Sequence, residues 1–109
     1  RGTTLLRGNH ETRSCTTDFN FREQCLMLYD EEVYDHFMEL FDNLPIAAVV
    51  NGDYLAIHGG ITHELDSLDK INQINRVQEP LEDSLASDML WADPMPDSKA
   101  ELANFKPNI

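Results

Sequence analysis

The sequence predicts an α/β fold, because strand-type and helix-type periodicities alternate along the chain. Three observations carry this: a short apolar run ending in a glycine, helical spacing of apolar residues between Asp18 and Asp42, and two apolar arms around an Asn-Gly pair. With 109 residues, 41% of them apolar, there is material for one modest core and not for two separate domains. No internal repeat or low-complexity stretch interrupts it.

Thr3-Thr4-Leu5-Leu6 is apolar and partly β-branched and breaks at Gly8, which predicts a strand feeding a loop. Asn9-His10-Glu11 follow it. Phe21, Cys25 and Leu28 recur at helical spacing, and Tyr34, Phe37, Met38 and Phe41 do so at i, i+3, i+4 and i+7. Two helices broken near Asp30 are expected, with Asp18 capping the first and Asp30-Glu31-Glu32 placing negative charge at the positive end of the second.

Pro45 ends that helix. Ile46 to Val50 and Asp53 to Ile57 then flank Asn51-Gly52, the pair best suited to a type I′ turn, and predict a β-hairpin. The first arm is apolar on both alternating faces, as in a strand inside a larger, two-sided sheet. Beyond Gly60, Ser67 to Ile74 reads as a short helix with Leu68, Ile71 and Ile74 inward, and Ser98 to Phe105 as another. Pro80, Pro94, Pro96 and Pro107 mark the remainder as loops.

Eight Lys and Arg against twenty Asp and Glu give a net charge of −12, which repels a phosphate backbone and excludes nucleic acid and anionic membrane surfaces as partners. No apolar run approaches the roughly 18 to 20 residues of a membrane span, and nothing near Arg1 resembles a signal-peptide core, so the chain reads as soluble. Cys15 and Cys25 have no partner spacing for a disulfide framework or a zinc knuckle. A reducing compartment is expected, cytoplasmic and by extension nuclear. The chain opens without an initiator Met and ends without an obvious stop, so it is expected to be a piece of something longer.

Two predicted strand ends carry polar clusters, Gly8-Asn9-His10-Glu11 and His58-Gly59-Gly60. Each sets an imidazole beside a glycine, where backbone can approach a ligand closely. An imidazole nitrogen with an amide oxygen makes a mixed donor set that suits zinc, iron or manganese better than calcium. Singly, a histidine after a strand is more often a surface group, and Asn before His is ordinary turn chemistry. Gly-Asn-His-Glu, however, arises by chance in a chain this long roughly once in a thousand sequences of average composition, and the second cluster makes coincidence rarer.

Leu5-Leu6-Arg7-Gly8-Asn9-His10-Glu11, Leu44-Pro45-Ile46-Ala47-Ala48, His58-Gly59-Gly60-Ile61 and Leu90-Trp91-Ala92-Asp93-Pro94, in this order and spacing, resemble the serine/threonine phosphoprotein phosphatases. Phe19-Asn20-Phe21-Arg22-Glu23-Gln24-Cys25 and Arg76-Val77-Gln78-Glu79-Pro80 are most similar to calcineurin catalytic subunits. The resemblance implies a metallophosphoesterase fold, with a central β-sandwich of mixed sheets flanked by helices. Residues 1–109 would be an internal part of one catalytic domain, incomplete at both ends.

It also implies hydrolysis of phosphoserine and phosphothreonine by a metal-activated water at a site of two divalent or trivalent ions, of Fe/Zn or Mn type. By position, Asn9 and His58 would ligate one ion, and His10 would be the general acid that protonates the leaving oxygen. The roles suit the chemistry, since neutral ligands leave an ion strongly Lewis-acidic and an imidazole titrates near neutral pH. Arg7 and Glu11 would pair and hold the loop, Trp91 would pack in the core, Cys15 would be a buried thiol, and His36 and His63 would face solvent.

The family's Asp-x-His and Gly-Asp-x-x-Asp-Arg-Gly motifs, which hold the other ion and bridge the pair, do not occur in these residues. A further metal-binding histidine and a phosphate-gripping arginine would follow them. Two protein donors fall short of the three that a catalytic ion ordinarily needs, so the 109 residues alone are expected to be inactive. Partners implied for the intact protein are phosphoprotein substrates, a calcium-binding regulatory subunit and calmodulin, the latter two through regions outside this chain. The alternatives are another metallophosphoesterase acting on nucleotides or phosphodiesters, and a catalytically dead interaction module. After His58-Gly59-Gly60, Ile61-Thr62 depart from the Leu-Ser usual in relatives, which bears on subtype and leaves the proposed ligands untouched.

Overall fold

The computed structural model describes residues 2–94 and the backbone of Lys106 and Pro107. Three helices come first: α1 (Arg13–Asp18), α2 (Phe21–Leu28) and α3 (Glu31–Asn43). The hairpin strands β1 (Ala47–Val50) and β2 (Tyr54–Ile57) follow, then helices α4 (Leu68–Gln73) and α5 (Leu85–Trp91) and the short strands β3 (Ala92–Asp93) and β4 (Lys106–Pro107). Of the expected sandwich, the described residues hold two antiparallel two-stranded ladders, β1 with β2 and β3 with β4.

Helical periodicity is realised as two helices packed on one another. Cys25, Tyr34 and Met38 are buried together, with Phe21, Phe37 and Phe41 against them. The phenyl rings of Phe21 and Phe37 meet edge to face at 5.2 Å, the geometry that aromatic quadrupoles favour. Asp30 caps α3 by accepting from the Val33 N–H at 3.0 Å. Leu28, expected inward, is 70% exposed, because it is the last residue of α2 and α3 begins three positions later, turning the chain away.

Asp18 does not cap a helix. It ends α1, and the residue before α2 is Asn20, in the left-handed region at φ 67° with no side-chain cap. α1 itself is absent from the apolar pattern, since Arg13-Ser14-Cys15-Thr16-Thr17-Asp18 has one strongly apolar side chain. Thr12 starts it, its hydroxyl accepting from the Cys15 N–H.

The hairpin forms, with Asn51 and Gly52 both at positive φ and the Asp53 N–H donating to Val50 O. Pairing resumes at Tyr54 opposite Val50, so Asp53 is an extra residue and the loop is one longer than the two-residue turn predicted. Expected burial on both faces is not found among the described residues. Val49 and Val50 at the tip are about half exposed, and Ala47 and Ile57 at the base pack on a second core of Ile46, Ala86 and Met89.

Thr3 to Leu6 is not a strand. Next to it, only the Arg7 N–H to Pro45 O hydrogen bond ties this stretch to the hairpin's approach, and no ladder partner lies beside it among the described residues. α4 is a helix as predicted, with Ile71 and Ile74 on the second core, but Leu68 in its first turn faces solvent. α5 falls where loops were expected. Ser84 caps it, and Met89 and Leu90 are fully buried. The helix expected over 98–105 lies outside the described residues. No helix among the described residues is long and apolar enough to cross a membrane.

Candidate active site

The loop from Gly8 to Thr12 closes on itself before α1 begins. The Glu11 N–H donates to Gly8 O at 3.2 Å, while the Gly8 N–H donates to the Glu11 carboxylate at 2.9 Å. Thr12 adds its hydroxyl to Asn9 O at 2.8 Å. Glu11 therefore steadies the loop through Gly8 and not by a carboxylate pair with Arg7; the Arg7 Nε instead donates to the Glu11 carbonyl at 2.8 Å.

His58 leaves the end of β2 and comes back to this loop. His58 Nε2 lies 2.9 Å from Asn9 Oδ1, so the two predicted metal donors converge although they stand 49 positions apart. Gly8 makes the approach feasible: a Cβ there would sit 2.6 Å from Glu11 Oε2 and 3.0 Å from His58 Cε1. His10 is exposed beside them, its ring 4.9 Å from that of Phe19. Phe19 as a neighbour of His10 escapes sequence reasoning because it is the cap residue just after α1, a helix the apolar pattern does not reveal.

Donor chemistry fits part of a metal shell. Two ligands each about 2.1 Å from one ion stand about 3.0 to 3.4 Å apart at octahedral or tetrahedral angles, close to the 2.9 Å found. Among the described residues no group of three or more His, Cys, Asp or Glu could hold an ion. The pair alone would supply two donors, fewer than an ion ordinarily needs.

Below the loop lies an ionic network. The Arg7 side chain is 1% exposed, yet each of its nitrogens has a partner: Asp42 Oδ1 at 2.9 Å, the Arg76 and Gln78 carbonyls at 2.9 and 3.1 Å, and Glu11 O. Arg13 approaches Asp42 from the other side with both terminal nitrogens, at 2.7 and 3.0 Å. Burial pulls the Arg7 pKa down and Asp42 opposes it. The hydrogen bond from Arg13 holds the Asp42 carboxyl below its usual range against the cost of burial. Asp42 and Glu79 were not legible as contributors; Asp42 reads as a polar residue at a helix end and Glu79 as part of a family-like stretch.

The remaining predicted residues fall as follows. Cys15 and Cys25 are buried and free, Trp91 is half-buried at the end of α5, and His36 and His63 are exposed.

Residues 2–108 match the model of the calcineurin-like phosphoesterase family. Over 91 residues, 84% of the chain, it is 48% identical to the serine/threonine-protein phosphatase 2B catalytic subunit A2 of Saccharomyces cerevisiae and 47% identical to subunit A1. It spans 15% and 16% of the length of these relatives. A solved structure of a protein serine/threonine phosphatase from Saccharomyces cerevisiae, described as similar to human phosphatase PP5, superposes with a TM-score of 0.80 at 33% identity, over 84% of this chain and 30% of that one.

Proposed function

Because the chain belongs to the calcineurin-like phosphoesterase family, we propose that it forms part of the catalytic domain of a metal-dependent phosphatase acting on phosphoserine and phosphothreonine in proteins. The observation that carries this reading is the 2.9 Å approach of Asn9 Oδ1 and His58 Nε2, next to His10 on a self-closed loop. Its relatives' names, both protein phosphatase catalytic subunits, support the substrate class.

Asn9 and His58 would hold one of two ions, of Fe/Zn or Mn type. The bound ions supply Lewis-acid polarisation of the phosphoryl group and of the attacking water. The 2.9 Å contact is a hydrogen bond in which the His58 Nε2–H donates to Asn9 Oδ1; with an ion held, Asn9 would contribute its amide oxygen and His58 its Nε2 lone pair, the ring proton then sitting on Nδ1. His10 carries a proton on a ring nitrogen and delivers it to the seryl or threonyl oxygen as that oxygen leaves. Exposure of the His10 ring suits contact with a protein substrate, and the ring of Phe19 lies 4.9 Å away.

The acidic body of the chain, −12 overall, does not itself attract a phosphoprotein, so attraction is local to the ions and to arginines outside these residues. For the intact protein, a calcium-binding regulatory subunit and calmodulin are the proposed partners, docking outside this segment. Two free, buried cysteines support a reducing compartment such as cytoplasm or nucleus.

The test is an assay of the full-length protein on a phosphoserine peptide and on a bis-phosphodiester, with and without added Mn²⁺. Faster metal-dependent turnover of the peptide is expected. Preference for the diester would move the protein to another metallophosphoesterase class, and turnover of neither would favour a non-catalytic module.

A further inference from the structure

We propose that Glu79 is a positioning residue for His10, acting from far along the chain through the first turn of α1; the idea rests on the phosphatase reading above for its kinetic consequence. The Glu79 carboxylate accepts from the Arg13 N–H at 2.8 Å and from the Ser14 N–H at 3.1 Å, and lies 3.5 Å from the Arg13 guanidinium. It thereby satisfies two of the otherwise unpaired N–H groups that open α1, with charge-assisted bonds.

Arg13 stands three positions after His10. The loop is thus anchored at both ends to the same distant stretch: Arg7, before it, binds the carbonyls of Arg76 and Gln78, and Arg13, after it, is held by Glu79. Asp42 joins the two arginines from below. Glu79 is not a member of either apolar core. Its removal therefore acts on the pose of the loop more than on the body of the fold, and small displacements of a proton donor are costly in turnover.

Three forms of the full-length protein test this: wild type, Glu79→Gln and Glu79→Ala. Gln keeps one carbonyl oxygen and so one of the two N–H bonds; Ala keeps neither. Expected is a kcat on the phosphoserine peptide, per folded molecule, that falls about 10- to 100-fold in Glu79→Ala and by less in Glu79→Gln, with KM and bound metal unchanged. A readout free of activity is the His10 ring resonance in protein labelled with ¹³C-histidine, assigned by its loss in His10→Asn. The ring lies 4.9 Å from Phe19, so its shift reports the pose of the loop. That shift is expected to move in the same order, Glu79→Ala beyond Glu79→Gln.

Equal kcat per folded molecule together with an unmoved His10 resonance overturns the proposal, even if Glu79→Ala melts earlier, because that is the pattern of a purely structural tie. Should Glu79→Ala fail to fold, the Glu79→Gln comparison decides alone. A wild-type protein inactive on the peptide would refute the phosphatase reading, while the resonance would still decide whether Glu79 sets the pose of His10.

Discussion

Asp42 shows how much of the site depends on a residue that touches neither Asn9 nor His58. Its carboxylate answers the buried guanidinium of Arg7 and the half-exposed one of Arg13 together. Removing its charge leaves Arg7 uncompensated in the interior, where breaking one partner of a pair costs far more than the pair itself contributes. Asp42→Asn is expected to destabilise the protein by about 3 to 5 kcal/mol in denaturant titration. A loss under about 1 kcal/mol, the range of exposed pairs, would contradict this. The sign with pH follows from the lowered carboxyl pKa. A depressed folded value means the contribution is present above the unfolded pKa of about 3.9 and lost as pH falls through the lower folded value. The stability gap between wild type and Asp42→Asn is therefore expected to persist at neutral pH and to close in strong acid.

Among the elements, the junction of β2 with α5 decides where His58 points. The Gly59 N–H donates to Met89 O at 2.9 Å, and a Cβ on Gly59 would lie 2.7 Å from that oxygen and 2.8 Å from the Leu90 carbonyl carbon. Since these are backbone atoms of a helix whose Met89 and Leu90 are fully buried, they cannot yield cheaply. Gly59→Ala is expected to cost about 1 to 3 kcal/mol and to lower bound metal by shifting His58; unchanged stability and metal content would refute the close packing. This junction also shows what sequence can and cannot disclose. α2, α3 and the Asn51-Gly52 turn were readable because apolar spacing and turn chemistry are local. α1 and α5 were not: the first is set by Thr12 and by Glu79 from a distant stretch, the second by burial of Ala86 and Met89 against the hairpin base. The predicted strand at Thr3 to Leu6 failed for the complementary reason, since a strand needs a neighbour and apolar composition does not supply one.

At the scale of the molecule, the proposed donors Asn9 and His58 could be singled out from glycine-flanked clusters and family resemblance, and their side chains meet, but the network beneath them could not be read. Arg7, Asp42, Arg13 and Glu79 are charged residues of ordinary appearance in a chain of net charge −12, and only the fold reveals which of them face one another. The chain covers a small share of its curated relatives, and two donors do not complete an ion's shell. The central claim is that Asn9 and His58 serve one cation while His10 serves the substrate. Its most direct test is the metal content, by elemental analysis, of the full-length wild type, His58→Ala and His10→Asn, each paired with kcat. His58→Ala should lose bound metal, and His10→Asn should keep it while its kcat falls about 10²- to 10⁴-fold. Full metal in His58→Ala, or metal lost from His10→Asn, would contradict the assignment.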